Sequence, residues 1–240
     1  MRSRRRLRAE ILLVLTLTFG MSGVRSVLRL LDALLSPTPL EQQQVTLNAP
    51  QSTSPWLDLA LQLCSAAVLL AWGGLALYLL RLDGHPIPRG RKGDLAIGVG
   101  LAALIGIPGL GLYLFSLHHG WTREVIPSAF HYAYLQIPIL LLWSAANAIA
   151  EEFVVVHWLM TRLRECRWGT VAVVAACALL RGSYHLYQGI SAGVGNLLMG
   201  IVFGTLYART GRVWPLVIAH FLIDAVAFVG YQALGGLPWG

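Results

Sequence analysis

Long apolar runs recur along this chain, and short basic clusters separate them. The 240 residues are 56% hydrophobic and only 12% charged, whereas an average soluble domain is about 25% charged. A run of about 20 apolar residues is long enough to cross a bilayer as one helix. The sequence therefore predicts an all-α, polytopic membrane helical bundle with about seven transmembrane helices. The predicted spans are 10–34, 56–80, 94–117, 134–163, 170–187, 191–208 and 214–231.

Most of the strong bases fall in alternate connections between these runs. They occur in the N-terminal segment and in 81–94, 162–168 and 209–212, which predicts that these segments are cytoplasmic. We therefore predict an integral membrane protein, placed in a bacterial cytoplasmic membrane, with its N-terminus inside and its C-terminus outside. The net charge of +7 is accounted for by these connections, so the predicted partner is the lipid bilayer and not a nucleic acid.

Two adjacent carboxylates lie inside the fourth apolar run. An ionised carboxylate in a membrane helix costs roughly 2.5–3.5 kcal/mol, so Glu151 and Glu152 each require a partner and indicate a functional site. Asn147 lies four residues before Glu151 and shares its helix face. Glu152 is expected to point about 100° away from Glu151, toward Val156. In the sixth run, Gly200 and Gly204 form a small-xxx-small pair that predicts close helix packing.

Two later runs each carry a histidine beside a charged residue. His185 shares a face with Arg181, and His220 shares one with Asp224, because each pair is four residues apart. Hydrolysis needs a base that activates water and imidazoles that bind a metal or stabilise an oxyanion. It also needs a carboxylate or amide that orients an imidazole. Tyr184 could donate to an oxyanion, although its position fits an interfacial aromatic belt better. The pattern favours a hydrolytic site.

These residues fall into three motifs, and through them the chain resembles the CPBP intramembrane proteases. That group includes the prenyl-protein (CAAX) processing proteases of the Rce1 type and bacteriocin-maturation and immunity proteins. The family pattern is Glu-Glu-x-x-x-Arg, then Phe-x-x-x-His, then His-x-x-x-Asn or Asp, on separate spans. Glu151-Glu152 matches the first pair, His185 the second histidine, and His220-Phe-Leu-Ile-Asp224 the third motif. The resemblance covers 140–230, a predicted catalytic core within a single membrane domain of 1–240.

The resemblance implies an endopeptidase that hydrolyses peptide bonds in or beside the bilayer, with a membrane protein or peptide as its substrate. Glu151 would be the general base that activates water, and Glu152 would support it. His185, His220 and Asp224 would position a metal or the oxyanion. Glu151, His185 and His220 are suited to bind Zn²⁺ or another divalent metal, although the sequence contains no His-Glu-x-x-His motif.

Two positions depart from the family pattern. The arginine of the first motif is replaced by Val156, and the phenylalanine of the second by Arg181. We expect Arg181 to supply the missing positive charge by reaching Glu152 from a neighbouring helix, because an unpaired buried charge is destabilising. The alternatives are a catalytically degenerate membrane scaffold or immunity factor, and a small proton-coupled transporter. The transporter is disfavoured by the absence of an internal repeat.

Overall fold

The computed structural model describes residues 3–126, 128 and 133–230, and these residues are mostly helical, as predicted. The α-helices are α1 (Arg4–Leu17), α2 (Phe19–Leu35), α3 (Pro55–Leu82), α4 (Asp94–His118), α5 (Ala133–Glu151), α6 (Leu159–Glu165), α7 (Thr170–His185), α8 (Ile190–Thr210) and α9 (Trp214–Ala225). Glu152–Trp158 and Val226–Gly230 are π-helical, and Leu40–Gln42 and Leu186–Gln188 form 3₁₀ turns. Two short strands, β1 (Gln44–Thr46) and β2 (Glu124–Ile126), pair with each other.

Four helical segments of the described chain are long and apolar enough to cross a membrane: Pro55–Leu82, Asp94–His118, Leu135–Glu165 and Ile190–Thr210. The consecutive helices α1 and α2 would add a fifth span if their 50° bend lies within one crossing. Trp214–Gly230 is apolar but shorter, and α7 has 16 residues. The polytopic helical bundle and the integral membrane character are confirmed, whereas the number seven stays a prediction. The predicted end of the last span, residue 231, lies outside the described residues.

The chain folds into two compact units. Unit 1 contains the described residues of Met1–Gln43, Ile107–Glu124 and Phe153–Val213, and unit 2 those of Gln44–Gly106, Val125–Glu152 and Trp214–Gly240. The chain passes from unit 2 to unit 1 directly after Glu152. A single membrane domain of 1–240 with a catalytic core at 140–230 stays a prediction.

In unit 1, α7 and α8 approach closely through small residues. A Cβ atom placed on Gly200 would lie 2.8 Å from the Cα of Ala178, and one placed on Gly204 would lie 3.3 Å from Cγ1 of Val174. Backbones can come this near only where no side chain intervenes. The small-xxx-small pair in α8 therefore packs as the sequence predicts.

Gly200→Ala is expected to destabilise the protein by about 1–3 kcal/mol, because the new methyl group would overlap the α7 backbone. Gly100→Ala in α4 is the matched control, since nothing lies within 4 Å of its Cβ position. At that open site, alanine should be neutral or stabilise the helix by about 0.5–1 kcal/mol. Thermal unfolding of the purified protein in detergent measures both variants. Equal shifts for the two variants would contradict close packing at Gly200.

In unit 2, α5 packs against α3 and α9, and a buried polar cluster fixes one end of this arrangement. Asp58 and Gln62 of α3 are fully buried. Trp143 of α5 donates its indole N–H to Gln62 Oε1 at 2.8 Å, and the backbone N–H of Gln51 donates to Asp58 Oδ1 at 2.6 Å. These bonds tie the segment before α3 to α3 and tie α3 to α5. They hold in place the helix that ends at Glu151.

Candidate active site

A π-helical stretch begins where the paired glutamates lie. Helix α5 ends at Glu151, and Glu152–Trp158 continues it with π-helical geometry before α6 begins. Hydrogen bonds in a π-helix join residues five apart, and such stretches are frequent at functional sites. The α-helical spacing that turned Glu152 toward Val156 therefore does not apply beyond Glu151. Val156 itself is buried, with 1% of its surface exposed.

Glu152 holds the ring of His220 inside unit 2. Oε1 of Glu152 accepts a hydrogen bond from Nδ1 of His220 at 2.8 Å, and both side chains are buried. The other ring nitrogen, Nε2, lies 3.7 Å from Oδ1 of Asp224. Asn147 donates from Nδ2 to Oδ2 of Asp224 at 3.4 Å. Helices α5 and α9, together with the first π-helical residue, thus bring four of the predicted site residues into one series of polar contacts.

This arrangement determines which nitrogen of His220 can act on another molecule. With Glu152 ionised, Nδ1 must carry the hydrogen that the carboxylate accepts, and this bond fixes the ring orientation. The 3.7 Å separation between Nε2 and Asp224 is longer than a hydrogen bond. Nε2 is therefore the nitrogen that remains for a substrate atom, with Asp224 beside it.

Glu151 is the last residue of α5 and belongs to the same unit. Its side chain is buried, with 6% of the residue exposed, and the next residue in the chain is Glu152, which bonds to His220. Asn147 lies one helical turn before it on α5, on the face that the sequence predicts, although its amide contacts Asp224. Two carboxylates and an imidazole therefore share one buried region of unit 2.

The remaining predicted site residues belong to unit 1. Nδ1 of His185 donates to the carbonyl oxygen of Arg181 at 3.1 Å, which leaves Nε2 of a neutral ring as an acceptor. Arg181 is fully buried, and its guanidinium carbon lies 5.5 Å from the centre of the Phe203 ring, within cation–π range. Tyr184 is buried beside Phe19 at a ring separation of 4.8 Å. The roles of these residues, and the pairing of Arg181 with Glu152, stay predictions.

One polar pair of unit 1 was not predicted from the sequence. His157, in the π-helical stretch, has Nδ1 at 2.6 Å from the hydroxyl of Tyr207 in α8, and both side chains are buried. The two residues are 50 positions apart, so no helical spacing connects them. Only the presence of a histidine and a tyrosine in separate apolar runs could have indicated this pair.

The sequence predicts a divalent metal, which would need several ligand side chains close together. In 3–126, 128 and 133–230, no three His, Cys, Asp or Glu side chains form a group that could hold a metal ion. Nε2 of His220 and the carboxylate of Asp224, 3.7 Å apart, are two possible metal ligands, whereas a zinc site takes at least three protein ligands. The described side chains do not provide such a set, and zinc stays a prediction.

Comparisons with known proteins relate this region to one family. Residues 133–226 match the family model described as type II CAAX prenyl endopeptidase Rce1-like. No curated protein matches the chain, and no solved structure does. The matched segment runs from α5 to the start of the last π-helical stretch and contains every predicted site residue. The segment that carries the candidate site is therefore similar to the Rce1-like type II CAAX prenyl endopeptidases, which supports the resemblance to the CAAX protease family.

Proposed function

We propose that this chain is an intramembrane endopeptidase of the CAAX-protease type, which hydrolyses a peptide bond of a membrane-bound protein or peptide. The observation that carries the proposal is the buried contact of Glu152 with His220, with Asp224 on the opposite side of the ring. These residues lie within the segment similar to the family. Buried ionisable groups in membrane helices are costly and usually functional.

Glu151 is the general base in this proposal. Its carboxylate takes a proton from a water molecule, and the water oxygen attacks the carbonyl carbon of the scissile peptide bond. The carbonyl π electrons move onto oxygen and give a tetrahedral oxyanion. When the oxyanion collapses, the C–N bond breaks and Glu151 returns the proton to the leaving nitrogen. The products are a new carboxylate and a new amine.

His220 stabilises the oxyanion. Glu152 fixes Nδ1, so Nε2 of the protonated ring can donate toward the developing negative charge without first having to reorient. Asp224, held by Asn147, lies beside Nε2 and favours the charged ring. A preorganised donor of this kind contributes about 10²–10³-fold to the rate.

His220→Gln is expected to lower the cleavage rate by about 10²–10³-fold, because the amide cannot replace a charged donor at the oxyanion. The assay is mass spectrometry of a farnesylated peptide with a CAAX terminus, reconstituted in vesicles with the purified protein. His118→Gln is the control, since His118 is exposed at the end of α4. Equal rates for the two variants would remove His220 from the mechanism.

A second candidate function is a catalytically degenerate scaffold or immunity factor. The observation that favours it is Val156, which is apolar and buried at the position of the arginine in the family motif. A scaffold would bind membrane partners without turnover. A wild-type protein that captures a prenylated peptide and cleaves neither it nor its unprenylated form would favour this candidate.

Membrane orientation is tested by cysteine labelling. Gln42 is exposed in the connection between the first two predicted spans, which contains no Lys or Arg and is therefore expected outside. Arg89 is exposed in 81–94, which is predicted to be inside. In a Cys64→Ser background, which removes the exposed native cysteine, Gln42→Cys should react with an impermeant maleimide added to intact cells. Arg89→Cys should react only after permeabilisation. The reverse pattern would contradict a cytoplasmic N-terminus.

A further inference from the structure

An apolar groove runs along the surface of unit 1 between α7 and α8. It has a volume of about 580 Å³. Its walls are the aliphatic side chains Val171, Val174, Ala175, Leu179, Leu197 and Ile201. Val171 and Leu179 expose 84% and 60% of their surface, so the groove faces outward from the protein. Ala178, which α8 approaches closely at Gly200, also lines the groove.

One end of the groove is polar and basic. Thr170, Thr205 and Arg209 line it, and Arg209 is exposed. Arg164 reaches the same end and donates from a terminal guanidinium nitrogen to the carbonyl oxygen of Ala208 at 3.5 Å. The exposed indole of Trp168 lies in the connection just before α7. Exposed tryptophan and arginine side chains are typical of the level of the lipid headgroups.

The length of the groove matches one leaflet of a bilayer. From Leu197 to Arg209, α8 rises by about 18 Å, and one leaflet contributes about 15 Å of hydrocarbon. A chain that lies in the groove would therefore reach from the basic end to near the middle of the membrane. The predicted topology places that basic end on the cytoplasmic side.

We propose that this groove binds one acyl chain of an anionic phospholipid, with the lipid phosphate at Arg209 and Arg164. The apolar walls match the chain, and the arginines match the negative charge. The threonine hydroxyls at Thr170 and Thr205 supply donors for phosphate oxygens. Basic sites between helices on the cytoplasmic side are suited to anionic headgroups. The ligand class is a diacyl phospholipid with a net negative headgroup.

The test is native mass spectrometry of the purified, delipidated protein with added lipids. Phosphatidylglycerol is compared with phosphatidylcholine that has the same acyl chains, which tests the headgroup charge. Dihexanoyl phosphatidylglycerol tests binding of the headgroup without long acyl chains, and inorganic phosphate tests binding of phosphate alone. We expect one retained phosphatidylglycerol and at least about fivefold weaker retention of phosphatidylcholine, since about fivefold is the effect of one basic residue near a charged surface. Retention of inorganic phosphate or dihexanoyl lipid equal to that of the long-chain lipid would contradict a chain-binding groove.

Two variants and two matched controls locate the site. Arg209→Gln should reduce the preference for phosphatidylglycerol, whereas Arg89→Gln, an exposed arginine elsewhere, should preserve it. Ala175→Trp should abolish retention by filling the groove, whereas Ala172→Trp, exposed on α7 but outside the groove, should not.

Three further results would overturn the proposal: equal retention of both lipids by the wild type, equal effects of the two tryptophan variants, or displacement of the lipid by a farnesylated peptide at lower concentration. Because the readout is lipid retention, the lipid proposal can fail in a protein that cleaves peptides. It can equally hold in a protein that cleaves none.

Discussion

Glu151→Gln is expected to lower the rate of peptide cleavage by about 10²–10⁴-fold, the usual effect of removing a general base. Glutamine keeps the size of the side chain and its capacity for hydrogen bonding, but it cannot accept a proton from water. Glu151 is buried at the end of α5, so bulk solvent should not supply a substitute base readily. Initial rates of product formation in proteoliposomes measure this effect.

The control for this variant is Glu41→Gln, which removes the same charge from an exposed position. Its cleavage rate should equal that of the wild type. The melting temperatures of both variants should lie close to the wild-type value, which separates loss of chemistry from loss of folding. A Glu151→Gln rate within about threefold of the wild type would show that another group activates the water.

Arg162→Met is expected to destabilise the protein by about 3–5 kcal/mol, because it leaves carboxylates without their buried partner. Arg162 is fully buried in unit 1. Its Nε donates to Oε1 of Glu10 at 2.7 Å, and NH1 donates to Oε2 of Glu165 at 2.9 Å. Glu10 also accepts from the indole N–H of Trp158 at 3.2 Å. These bonds join α1 to α6 and to the last residue of the π-helical stretch.

The measurement is thermal unfolding in detergent, where a loss of this size should lower the melting temperature by about 10 °C. Arg164→Met, two residues along the same helix and exposed, should change it little. Adding Glu10→Gln to Arg162→Met should recover part of the loss, because the Glu10 carboxylate that lost Arg162 is then absent. Strictly additive losses would show that Glu10 and Arg162 do not stabilise each other.

The fold class follows from physical constraints that a sequence displays directly. Apolar runs of membrane length are visible without knowledge of any contact, and the helices at Pro55–Leu82, Asp94–His118 and Ile190–Thr210 lie where the runs predict them. Helix length does not decide whether α7 and α9 cross the membrane, because both are shorter. It also does not decide whether α1 and α2 form one span across their bend. These are the places where the number of crossings stays a prediction.

Pairings across long separations could not be predicted. The charge cluster 162–168 indicated a cytoplasmic connection, yet Arg162 is buried against Glu10, which is 152 residues away. Helical spacing relates only residues three or four apart. It could therefore relate Arg162 to Glu165 but not to Glu10. The same limit applies to Gln51, Asp58 and Gln62. Gln51 lies between the predicted spans 10–34 and 56–80, yet it contributes bonds to a buried cluster.

The candidate site was predicted in its residue types but not in its contacts. Spacing placed His220 beside Asp224 and Asn147 on the face of Glu151. It could not give the bond between Glu152 and His220, which are 68 residues apart. The chain also changes from α-helix to π-helix at Glu152, so side-chain directions predicted from α-helical spacing do not hold beyond Glu151. A helical wheel assumes one constant spacing, so it could not predict this change.

Hydrolysis in H₂¹⁸O tests the central claim most directly. Purified wild-type protein in vesicles is given a farnesylated CAAX peptide, and the products are weighed by mass spectrometry. The proposed chemistry predicts that one ¹⁸O atom enters the new carboxylate of the product. It also predicts that Glu151→Gln and His220→Gln form that product at least about 100-fold more slowly. Wild-type protein that is folded and inserted, yet cleaves neither this peptide nor its unprenylated form, would contradict the assignment of an intramembrane endopeptidase.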